Sequence, residues 1–171
     1  YIFSTMIVFS ATLLFVAIGF AKKQREDICQ IKKYALYELL LSVKMQHSQL
    51  VDYPPIDEPS NLFCAYVHNV YEVRAACEKV LAACGNLLTT WEQETVKSLQ
   101  HSAIVLSDDF GITAENCGEY SATQFCKFYD EKVRTAPQNE KINVFTHTIK
   151  TDIEKYSKHI EQFFEDFKHY Y

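Results

Sequence analysis

Glycine and proline are scarce in this chain of 171 residues, four of each. An all-β sandwich or barrel needs many tight turns, and so small a supply of turn formers argues against one. No basic block occurs: 17 lysines and arginines face 22 aspartates and glutamates, giving a net charge of -5. That balance disfavours nucleic acid as a partner. There is no CxxC, no HExxH and no clustered Cys/His spacing, so no metal site is expected. Neither GxGxxG nor GxxxxGK[ST] is present to cradle a phosphate, and no serine sits in a glycine elbow. The six histidines, His47, His68, His101, His147, His159 and His169, are scattered singly. Asp108 and Asp109 follow a helix end, and Glu161, Glu165 and Asp166 fall on the polar side of the last helix. The chain therefore reads as a non-enzyme without catalytic residues or cofactor. It also has no N-x-[ST] sequon and no internal repeat.

What is present begins with an uncharged stretch over residues 1–21, in which residues 6–21 form a 16-residue apolar run. A membrane span needs about 20 such residues, so the length suits the core of a signal peptide. Gly19 and Ala21 supply the small residues of a cleavage site, and charge begins at Lys22. Residues 1–21 are thus expected to be a signal peptide and residues 22–171 a single cysteine-rich domain, secreted and extracellular, with no membrane span after cleavage. The competing reading is an uncleaved anchor flanked by Lys22, Lys23 and Arg25.

Helical periodicity dominates the remainder. Ile28, Ile31, Ala35, Leu39, Leu40, Val43 and Leu50 recur at spacings of mostly three and four, predicting a helix over 27–51. Pro54, Pro55 and Pro59 then stop it. A second helix is expected over about 61–84, from an N-cap at Ser60 to Gly85. Thr89 and Glu92 have capping-box spacing, predicting a third helix near Thr90 with Trp91, Thr95, Leu99, Ala103 and Leu106 on one face. It should close at the turn over 107–111. Ser121 and Gln124 offer another capping pair for a short helix to about Arg134. The last helix, about 139–169, carries Ile142, Phe145, Ile149, Ile153, Tyr156, Ile160, Phe163, Phe167 and Tyr170 on one stripe. The fold class is all-α, a disulfide-stapled bundle of four to five helices.

Six cysteines suit an oxidising compartment. On a continuous helix Cys77 and Cys84 lie about 10 Å apart along the axis, too far to pair with each other. Cys64 is farther still, so each must find a partner outside its helix. Antiparallel folding of successive helices brings Cys29 level with Cys84, Cys64 level with Cys117, and Cys77 level with Cys126. These are the expected bonds.

The last helix is rich in aromatics, and Phe145, Tyr156, Phe163, Phe164, Phe167 and Tyr170 are the candidate binding residues. They line the core, a lipophilic cavity, or a face for a partner. The run Cys64-x12-Cys77-x6-Cys84, followed by a helix and Cys117, resembles cysteine-rich helical domains of unknown function in secreted nematode and arthropod proteins. Cys117-x8-Cys126 also looks like the last pair of the insect odorant-binding proteins. Those proteins separate their second and third cysteines by three residues, whereas Cys64 and Cys77 are separated by twelve. The resemblance implies a secreted helical scaffold and supplies no catalytic residues. The expected function is that of a secreted binding protein, an interaction module for an extracellular protein. The alternative is a carrier of a small lipophilic ligand such as a lipid or pheromone.

Overall fold

The computed structural model describes residues 2–51, 61–110 and 147–171. Every regular element among them is helical: α1 (Ile2–Val51), α2 (Asn61–Cys84), α3 (Thr90–Asp109) and α4 (His147–Phe167), with 3-10 turns at Gly85–Leu87 and Lys168–Tyr170. The short helix expected before Arg134, the segment 139–146 of the last helix and the N-cap at Ser60 lie outside the described residues.

Cross-links between the helices fix their directions. Cys29 of α1 is bonded to Cys84 at the end of α2, with Cα atoms 4.7 Å apart. Farther along α1, Gln46 accepts a 2.9 Å hydrogen bond from Asn69, near the start of α2. The two helices are therefore antiparallel. Asp166 meets Thr95 and His159 meets Ser102, so α4 runs antiparallel to α3. Helix α2 also packs on α3, and α4 returns to touch α1, giving an up-down-up-down bundle.

The α2 boundaries match the sequence expectation, and the reason is local. Gly85 has φ +48°, a left-handed backbone conformation that glycine alone adopts freely. The capping box of α3 is also formed: the Thr89 hydroxyl accepts from the Glu92 N–H at 3.1 Å, and Glu92 Oε2 accepts from the Thr89 N–H at 2.7 Å. Helix α3 extends to Asp109, three residues into the expected turn, and is capped at Phe110.

Two expectations for α1 are corrected. First, the helix does not start near Asp27 but runs unbroken from Ile2. No proline interrupts this segment, and Lys22 and Glu26, one turn apart, make a 3.9 Å ion pair across the junction. Second, the inward face is Cys29, Lys33, Leu36, Leu40 and Val43, stepping by four and three. Ile28 and Ile31 face outward, 41% and 63% exposed. The disulfide accounts for this rotation, because Cys29 must point at α2.

The core joins that face to Tyr66, Val67, Val70, Val73, Cys77 and Val80 of α2, Val96, Leu99, Ala103 and Leu106 of α3, and Tyr156, Ile160, Phe163 and Phe167 of α4. Upstream of Cys29 nothing is buried over residues 10–28. Among the described residues no helix is long and apolar enough to cross a membrane.

Candidate functional site

The aromatic stripe of α4 divides between interior and surface. Tyr156, Phe163 and Phe167 are fully buried. All three are members of the core, and Tyr156 also lines a cleft between helices. Their spacing of seven and four puts them on one side of α4, the side turned to the core. Phe163 stacks on Phe167 with centroids 4.4 Å apart. Phe145 lies outside the described residues. Phe164 is half-buried and Tyr170 is exposed.

From Phe164 a second aromatic group continues to the surface, where α1 meets the end of α4. Tyr37 meets Phe164 edge-on at 5.1 Å and stacks on Tyr171 at 4.0 Å. Tyr34 lies 6.0 Å from Tyr171. Tyr34, Tyr170 and Tyr171 are 53%, 40% and 41% exposed, so this edge is presented to solvent while its inner members hold it in place. Tyr34 and Tyr171 were missing from the sequence-derived binding set, since no periodic pattern joins α1 to the end of α4. The Tyr34 phenol is held above its usual range by a hydrogen bond to Glu38.

Beneath the edge lies a polar clasp. Lys33 is buried, with its ammonium 3.5 Å from the centre of the Tyr170 ring, a cation-π contact. The Tyr170 hydroxyl donates to Glu92 Oε1 at 2.7 Å, and this bond raises the phenol above its ordinary range. Glu92 therefore serves two helix ends, the start of α3 through Thr89 and the end of α4 through Tyr170. Burial pushes the Lys33 ammonium down, and the Glu92 carboxylate opposes that.

Clefts among the described residues include two between helices. One, of about 190 Å3, lies between α3 and α4, lined by Trp91, Glu94, Thr95, Ser98, His159 and Gln162. Trp91, expected on the core face, is 61% exposed. At its position in the first turn of α3 it instead donates to Asp166. Burial works to raise the Asp166 carboxyl, but hydrogen bonds from Thr95, Trp91 and Gln162 outweigh it and hold the group below the usual carboxylate range. His159, bonded to Ser102, is kept low by burial and then by His101. This pair is a serine and an imidazole in contact, and among the described residues no third group orients the ring as in an activated nucleophile.

The other cleft, of about 260 Å3, lies where α1, α2 and α4 converge. Tyr66, Tyr156 and Ile160 line it together with Lys44, His47, Ser48, Ser157 and Glu161. The hydroxyls of Tyr66 and Tyr156 are both buried without a hydrogen-bond partner.

Of the three expected disulfides, Cys29 with Cys84 is present. Cys77 is a free buried thiol, and its expected partner Cys126 lies outside the described residues. Its side chain sits at 0% exposure among the core residues, and burial pushes the thiol up. Cys126 itself, and the pair Cys64 with Cys117, fall outside the described side chains. Among the described residues no group of three or more His, Cys, Asp or Glu could hold a metal ion. No protein-family model, curated protein or solved structure matches this chain.

Proposed function

We propose that the chain is an exported, non-enzymatic binding protein that engages a protein partner through the aromatic edge of Tyr34, Tyr37, Phe164, Tyr170 and Tyr171. The observation that carries this reading is the exposure of Tyr34, Tyr170 and Tyr171 on a braced support. Tyrosines held in place before binding lose little conformational entropy on contact, and buried aromatic anchors supply much of the energy of protein interfaces. Export is supported by the Cys29–Cys84 bond, which suits an oxidising compartment. It is further supported by the side chains of residues 10–21, which add nothing to the core, so removal of residues 1–21 leaves the described packing intact.

The alternative, a carrier of a lipid or pheromone, needs an enclosed apolar cavity of about 300 Å3 or more. The cleft between α1, α2 and α4 is smaller, about 260 Å3, too small for a long acyl chain. The partner reading is tested by placing a photo-crosslinking residue at Tyr34 and, as control, at exposed Glu78, in protein exposed to its native extracellular fluid. A partner captured from position 34 alone, and lost with Tyr171→Ala, supports it. Equal capture from both positions, or undiminished capture with Tyr171→Ala, refutes it.

A further inference from the structure

The cleft between α1, α2 and α4 has no role in the partner reading and stands independently of it. Its most telling feature is the pair of orphaned phenols. Tyr66 is 1% exposed and Tyr156 0%, and neither hydroxyl has a hydrogen-bond partner. A buried hydroxyl left unpaired is costly, and folded chains carry only a few such groups. Here two line one opening. Burial raises both phenols, so each stays protonated and able to donate.

The remaining lining restricts what could satisfy them. The two aromatic rings and Ile160 make an apolar wall. Lys44 and Glu161, both exposed, bring opposite charges to the lining and select for neither sign. Burial holds His47 below its usual pKa, partly offset by Glu161. A buried carboxylate guest would meet no fixed cation beside the phenols. A neutral oxygen acceptor that reached the phenols would meet two donors. The volume is below the roughly 300 to 1,000 Å3 typical of sites for drug-sized molecules, which limits the guest to about one ring.

We propose that this cleft is a binding site for a small, uncharged, mainly apolar molecule carrying a carbonyl-type oxygen that accepts hydrogen bonds from Tyr66 and Tyr156. The hydroxyls are sealed from bulk water, so the guest reaches them by displacing the half-buried His47, whose ring lies 6.3 Å from that of Tyr66. Side-chain movement of this kind is common at binding sites.

The test compares acetophenone with ethylbenzene, similar in size but lacking the oxygen, by ligand-observed NMR titration of the exported protein. Acetophenone should bind about tenfold more tightly, and the Tyr66→Phe/Tyr156→Phe double variant should abolish the preference while still binding both weakly. Because that variant removes two unpaired hydroxyls and keeps the rings, it should melt at or above the wild-type temperature. Ser157→Trp, which fills the opening from a half-buried position, should block both probes. Equal affinity for the two probes, no binding of either at millimolar concentration, or a preference that survives in the double variant would each overturn the proposal. So would a double variant that melts several degrees lower, since that would show the phenols already bonded in the unliganded protein.

Discussion

Breaking the Cys29–Cys84 bond should remove a large share of the stability of this domain. The two cysteines are 55 residues apart in sequence. In the chain-entropy description, opening a loop of that length returns about 14 cal/mol/K to the unfolded ensemble, or about 4 kcal/mol at 25 °C. The bond also joins a core position of α1 to the last turn of α2, so its loss frees that end of the helix pair while the Gln46–Asn69 end stays in place. Both sulfurs are buried, and a Cys29→Ala/Cys84→Ala double variant avoids leaving a lone thiol or an unpaired hydroxyl there. Guanidinium denaturation followed by circular dichroism should show a loss of about 3 to 5 kcal/mol, equivalent to about 6 to 20 °C in melting temperature for a domain of this size. Cys77→Ala serves as the control, since Cys77 carries no bond to lose. It should cost about 1 kcal/mol, through the small volume it vacates. A double variant within 1 kcal/mol of wild type, or a control that costs as much as the double variant, would refute the assignment of the staple to this pair.

Three further outcomes follow from the packing. Glu92→Ala removes the acceptor of both Thr89 and Tyr170 and should destabilise by about 2 to 3 kcal/mol, whereas Tyr170→Phe, which leaves the capping box intact, should cost about 1 kcal/mol by the same unfolding assay. Phe163→Ala opens a cavity in the centre of the core and should cost about 3 to 5 kcal/mol, well beyond the effect of Tyr34→Ala at the exposed edge. Asp109 is raised to about 6 by burial, by a hydrogen bond to Asp152, and by the charges of Asp152 and Asp108. A carboxyl whose folded pKa exceeds its unfolded value loses stabilising effect as pH rises between the two values. Stability should therefore fall from about pH 4 to pH 6, and Asp109→Asn should flatten that slope in pH-dependent melting curves.

Local signals in the chain proved readable. Gly85 and the Thr89/Glu92 pair announce the end of α2 and the start of α3, because turn and cap chemistry depends on residues within four positions of each other. The Cys29–Cys84 pairing followed from helix length and antiparallel return. Rotation of a helix about its own axis was less legible. The apolar residues Ile28 and Ile31 suggested one face of α1, but the disulfide turned Cys29 inward and carried Lys33 with it. Lys33 is tolerated inside because the Tyr170 ring covers its ammonium and Glu92 lies near, neither of which is adjacent in sequence. Periodicity likewise placed Tyr156, Phe163 and Phe167 on one stripe but could not say what that stripe meets. The 260 Å3 cleft was invisible for the same reason, since His47, Tyr66 and Tyr156 come from three helices and share no motif.

The central claim, an exported and disulfide-stapled binding protein, is tested most directly by native mass spectrometry of the chain recovered from its own source, followed by peptide mapping. The account expects a soluble species beginning at Lys22, with Cys29 linked to Cys84 and a non-covalently retained partner or small molecule. A chain recovered only in membranes with residues 1–21 attached, with Cys29 and Cys84 reduced, would contradict it.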